Sequence, residues 1–63
     1  MNVAKNLKKY REKAGLTQAQ LAAKINISQS MIAYIERGVK SPTIILAEEL
    51  ANALGIGLND LIR

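Results

Sequence analysis

The 63-residue chain has no cysteine, no histidine, no tryptophan and no phenylalanine, and only one proline. Without cysteine there is neither a disulfide framework nor a thiolate metal site. Without histidine the commonest metal ligand and proton shuttle is missing, so the sequence predicts no metal and no cofactor. No apolar run approaches the roughly 20 residues of a membrane span. The opening MNVAKNLKKY lacks the long apolar segment of a signal peptide, which makes a cytoplasmic location the expectation. With Tyr10 and Tyr34 as the only aromatics, a core must be filled by Leu, Ile, Val and Ala. A chain this short removes only about 60% of its unfolded surface from water, enough for one core and one domain spanning residues 1–63.

Acidic residues are scarce in one region. Residues 1–40 carry eight Lys or Arg against Glu12 and Glu36, whereas residues 41–63 carry Arg63 against Glu48, Glu49 and Asp60. Two readings of the basic part stand side by side: a surface built to meet anions, or ordinary solubilising lysines.

Hydrophobic spacing predicts an all-α chain of five helices. Val3, Leu7, Tyr10 and Ala14 recur at helical steps, and Gly15 stops that run. Leu16-Thr17-Gln18-Ala19-Gln20-Leu21 is a complete helix start, with Thr17 as cap, Gln20 as the other half of a capping box, and Leu16 placed to staple onto Leu21. This second helix is expected over about 18–25. Asn26 follows where the chain needs a left-handed turn. Ile27-Ser28 then repeats the starting device for a third helix ending at Arg37 and Gly38. Pro42 and Thr43 introduce a fourth helix in which Ile44, Ala47, Leu50, Ala51 and Leu54 share a face, closed by Gly55. A short fifth helix is expected over about 58–62. It begins at Gly57, without a hydroxyl cap, and should be less firmly started. The second and third helices, joined by three or four residues, form a helix-turn-helix unit.

Stepping 100° per residue along the third helix groups Ser28, Ile32 and Ile35 on one face, with Met31 at its edge. The opposite face collects Gln29, Ser30, Ala33, Tyr34 and Arg37. That face is short of the Lys and Glu of an idle solvated surface. Its amide and hydroxyl groups suit the edges of bases in a DNA major groove, where glutamine is the natural bidentate reader of adenine. Plain solvent exposure is the competing reading of a polar face taken by itself.

The stretch Thr17 to Gly55 resembles the DNA-binding domain of the phage lambda repressor and Cro family, through TQ..LA.KI.IS.S.I..IERG, then Pro42 and a closing Leu54-Gly55. That family's members are among the standard examples of helix-turn-helix docking on DNA. The resemblance implies a compact five-helix domain that binds double-stranded DNA. It implies base readout by Gln29, Ser30, Ala33 and Tyr34, and backbone contacts from Gln18, Arg37, Lys40 and the loop around Ser41. In relatives the two residues matching Gln18 and Gln29 are often bonded to each other. The resemblance also implies a structural salt bridge between Arg11 and Glu36, with a phosphate contact as the alternative role for Arg11. This sequence departs from the family pattern at Ile45, Leu46 and Glu48 of the fourth helix, and at Gly57.

Function then divides into three classes. A transcriptional repressor or regulator occupying a near-palindromic operator, with weak pairing of two copies chiefly on DNA, is the leading expectation. An antitoxin or other protein-interaction module on the same fold is the second, with Ile45, Leu46 or the last helix as its contact. An enzyme is the least favoured. Glu48 and Glu49 do not share a helix face, no His is present to activate a Ser or Thr, and no glycine loop is built to cradle phosphate.

Overall fold

Three of the helices begin at a hydroxyl side chain that accepts from an otherwise unpaired backbone N–H. The computed structural model describes residues 2–63, and its described residues form five α-helices and no strand: α1 (Val3–Lys13), α2 (Gln18–Lys24), α3 (Gln29–Glu36), α4 (Ile44–Leu54) and α5 (Leu58–Ile62). At α2 the capping box is closed in both directions. The Gln20 N–H donates to Thr17 Oγ1 at 3.0 Å, and the Thr17 N–H donates to Gln20 Oε1 at 2.8 Å. Ser28 Oγ accepts from the Met31 N–H at α3, and Thr43 Oγ1 accepts from the Leu46 N–H at α4, both at 3.1 Å. Gly57 has no side chain to offer, yet the box is half made there because its own N–H donates to Asp60 Oδ2 at 3.2 Å.

The first four helices end alike. Gly15, Asn26, Gly38 and Gly55 turn left-handed, and the following N–H reaches back to the carbonyl five residues before it: Leu16 to Arg11, Ile27 to Ala22, Val39 to Tyr34 and Ile56 to Ala51, at 2.9 to 3.1 Å. At the α2–α3 turn the left-handed residue is Asn26, with φ 60°, which its short polar side chain tolerates. Leu16, Ile27 and Ile56 fold back against the core, whereas Val39 stays 64% exposed.

The core gathers Val3, Leu7, Leu21, Ala22, Ile32, Ile35, Ala47, Leu50, Ala51 and Leu61. Helix α1 is its spine, packed against α3, α4 and α5, while α2 leans on α3. Six of these side chains, Leu7, Leu21, Ile32, Ile35, Leu50 and Leu61, are essentially sealed from water. At roughly 1.5–3 kcal/mol for each large aliphatic side chain buried, they supply the main drive for folding without any aromatic.

The helices follow the expected pattern with four differences, the first being that Ala14, the last residue of the α1 stripe, lies past the helix end and is exposed. Ile44, placed by spacing on the inward stripe of α4, is exposed, because it opens the helix beside the largely exposed 37–43 loop and the stripe meets the core only from Ala47 onward. Ser28, grouped by angle with Ile32 and Ile35, is exposed because its hydroxyl is engaged at the helix end. The fifth helix is tied down more firmly than its glycine start suggests. Asn6 Nδ2 of α1 donates to the carbonyls of Leu61 and Arg63, both at 2.9 Å, filling acceptors that the last turn leaves open.

Candidate nucleic-acid interface

Helix α3 presents two chemically distinct faces. Ile32 and Ile35 are buried and anchor it, and Met31 packs at the margin of the core. Gln29, Ser30, Tyr34 and Arg37 are exposed on the other side, and Ala33 is half-buried among them. Lys40 and Ser41 are exposed on the following loop. The structure therefore brings the candidate readout side chains onto one short helix and puts three of the candidate backbone contacts, Arg37, Lys40 and Ser41, at its end, with Gln18 at the start of α2.

Tyr34 links these two groups. The Arg37 guanidinium carbon lies 5.4 Å from the centre of its ring and the Lys40 Nζ lies 5.9 Å from it, both within cation–π range. Its carbonyl accepts from the N–H groups of Val39 at 2.9 Å and Lys40 at 3.3 Å. One residue thus steadies both the backbone of the loop and its two cations. On α1, Lys9 and Lys13 flank the Tyr10 ring in the same manner at 5.3 and 5.8 Å, a cluster that helical spacing of the sequence did not single out.

Beneath the exposed face runs an ion pair between α1 and α3. Arg11 Nε donates to Glu36 Oε2 at 2.6 Å and Nη2 donates to Oε1 at 3.0 Å, a bidentate fork, while Nη1 donates to the Leu16 carbonyl at 2.8 Å. The side chains are 11% and 4% exposed. The hydrogen bond to Glu36 raises the Arg11 pKa further above its already high value, against an opposing effect of burial, so this arginine is charged at any pH where the domain works. Every donor of the guanidinium fork that meets protein is directed at an acceptor, and among the described residues no buried side-chain polar atom lacks a partner.

Gln18 departs from the expected arrangement. As the first residue of α2 it is half-buried, and its Nε2 donates to Glu36 Oε1 at 3.1 Å, where the family resemblance implied a bond to Gln29. Glu36 draws it in because a nearly sealed carboxylate has acceptor capacity left after Arg11 has taken its share. Nothing local in the sequence announces this contact across 18 residues. Asn6 was also missed. Its signal was present, since asparagine is a poor helix former and its place inside an amphipathic helix calls for a specific partner.

Among the described residues no group of three or more His, Cys, Asp or Glu is arranged to hold a metal ion, and no helix is long and apolar enough to cross a membrane. The exposed arrangement on α3 and its loop consists of hydrogen-bonding groups and cations on a rigid support.

Comparison with known proteins agrees with this geometry. The chain is 38% identical over 60 residues to an HTH-type transcriptional regulator, y4dJ, of Sinorhizobium fredii, a match covering 95% of this chain and 78% of that protein. It is 40% identical over 62 residues to the immunity repressor protein of Bacillus phage phi105, covering 98% of this chain and 43% of that protein. The fold superposes on SinR, the master regulator for biofilm formation, solved in complex with DNA, with a TM-score of 0.91 at 26% identity, covering 97% of this chain and 98% of that one. The helix-turn-helix family HTH_3 matches over residues 7–61, which takes in all of α2, α3 and α4 together with the capped turn between α2 and α3. With its core, its turn and its exposed third helix all in place, the chain belongs to this lambda repressor and Cro type of helix-turn-helix family, whose members are DNA-binding transcriptional regulators.

Proposed function

We propose that the chain is the operator-binding domain of a cytoplasmic transcriptional repressor, inserting α3 into the major groove of double-stranded DNA. The observation that carries this reading is the division of α3: a sealed apolar face holds the helix rigid, and the opposite face offers uncharged hydrogen-bonding groups with Arg37 and Lys40 at its end. Gln29, Ser30, Ala33 and Tyr34 select sequence, with Gln29 at the first helical position, where recognition helices meet base edges. Gln18, Arg37, Lys40 and Ser41 grip phosphates and set the register without reading sequence. No chemical step is involved; the domain acts by occupancy. One such module covers little DNA, so two copies meet on a near-palindromic site, with half-sites about 34 Å apart along one face of the duplex, and associate weakly without it.

Selection of bound sequences from a random duplex pool tests this directly. The expected outcome is a near-palindromic consensus and an affinity that falls steeply as salt rises. An unenriched pool, together with binding that is insensitive to salt, would overturn the proposal. The exposed Val39, Ile44 and Ile45 would then direct attention to a protein partner.

A further inference from the structure

A glutamine amide can present itself to a neighbour in two ways, as an N–H donor or, turned over, as a carbonyl acceptor. At Gln18 the choice is made by Glu36. An ionised carboxylate only accepts, so the nitrogen end of the amide faces it, at 3.1 Å from Oε1. Glu36 is itself held from α1 by the two-point fork of Arg11 and is nearly sealed from water, which leaves it little freedom to follow the glutamine. The anchor is rigid, and the amide adapts to it.

We propose that Glu36 is a positioning residue for DNA binding, acting through Gln18. By taking one N–H of the Gln18 amide it leaves the second N–H for a phosphate oxygen, and it disfavours the flipped orientation in which the carbonyl oxygen would confront the phosphate. A phosphate oxygen is also an acceptor, so only one of the two orientations makes a bond. An untethered glutamine divides its time between both and among several rotamers, and that freedom would have to be lost at each encounter with DNA. The ion pair therefore has a role at the interface besides joining α1 to α3. The inference rests on the proposed DNA reading.

The test measures Gln18→Ala in two backgrounds, by fluorescence anisotropy with a random-sequence duplex at one fixed low salt concentration. In the native chain it should weaken binding about tenfold, the size expected of a hydrogen bond to a charged group. In Arg11→Met/Glu36→Leu, where apolar side chains replace the pair, Gln18→Ala should change affinity less than twofold, because the amide has already lost its orientation. An equal loss in both backgrounds, or no loss in the native chain, overturns the proposal. A readout that needs no variant to fold is the Gln18 side-chain amide of 15N-labelled native protein during titration with duplex. The proton bonded to Glu36 should hold its shift while its partner moves; both moving together, or neither moving, counts against the assignment. If the native chain binds no duplex in a salt-dependent way, the DNA reading itself has failed. A native chain that binds normally but shows background-independent Gln18 effects sinks only the role given to Glu36.

Discussion

Replacing Arg11 with Met should be the most damaging single change among the charged positions of α1, because Arg11 alone of them is buried. The substitution keeps most of the aliphatic bulk but leaves the Glu36 carboxylate, 4% exposed, with the Gln18 amide as its remaining side-chain donor. It also removes the donor from the Leu16 carbonyl. Breaking a buried pair by deleting one partner costs about 3–5 kcal/mol, and the lower end applies here because Gln18 stays in place. For a domain of this size the unfolding entropy is about 0.13 kcal/mol/K, so a loss of about 3 kcal/mol lowers the melting temperature by about 20 °C. Total stability is expected at about 3–9 kcal/mol, which puts the variant near or past the edge of folding. Glu36→Leu should behave similarly, since it strands the guanidinium. The double variant Arg11→Met/Glu36→Leu removes both charges together and should return to within about 1.5 kcal/mol of the native chain, making the two single effects strongly non-additive. Thermal melts followed by circular dichroism at 222 nm measure all four proteins, and a single variant already unfolded in the cold counts as the expected large loss. Two small, additive single effects would show that the Arg11–Glu36 pair is not coupled through burial. The pH dependence has a definite sign too. A raised arginine pKa contributes stability that is fully present below its unfolded value and is lost only as pH climbs through the folded value, so Arg11 adds no slope to the stability curve near neutrality.

Four further outcomes follow from other parts of the fold. Lys40→Ala should weaken binding to every duplex by a similar factor and lower the slope of log affinity against log salt by roughly one unit. Gln29→Ala should leave that slope nearly intact while costing about 1–3 kcal/mol on the selected site alone; equal losses on specific and random DNA would make Gln29 a backbone contact. Asn6→Ala frees the carbonyls of Leu61 and Arg63 and should cost about 1 kcal/mol, with the amides of α5 exchanging faster in hydrogen-exchange experiments while those of α3 hold; an unchanged α5 would show that its apolar contacts suffice. Gly38→Ala meets no atom within 4 Å of the added carbon but must sit at φ +75°, so a loss of about 1–2 kcal/mol in a urea titration is expected from backbone strain alone, and a neutral result would mean that the α3 end has relaxed.

Most of the fold could be read from the chain because its instructions are local. Thr17 with Gln20, Ser28, Thr43, Asn26 and the glycines act within three to five residues of themselves, and the helices they delimit differ from expectation by a residue at most ends. Exposure of Ile44 was less legible, because helical spacing gives a direction around an axis but not where along the axis the neighbouring helices stop. The site divides in the same way. The exposed positions of Gln29, Ser30 and Tyr34 follow from the angle each makes with Ile32 and Ile35. The turning of Gln18 toward Glu36, and the two cations gathered on Tyr34, depend on rotamers and on packing between segments that periodicity does not encode.

The two faces of α3 also bear on how such a domain changes over generations. Ile32 and Ile35 keep the helix in place from within, the helix ends are held by Ser28 and by the turn at Gly38, and Gln29 and Ser30 take no part in the core. Substitutions at Gln29 and Ser30 therefore leave the scaffold standing, while each alters the pattern of donors and acceptors shown to the groove. Under the proposed reading, target preference and foldability are inherited almost independently. A lineage carrying this domain can acquire a new operator through one or two outward replacements, without passing through an intermediate that fails to fold.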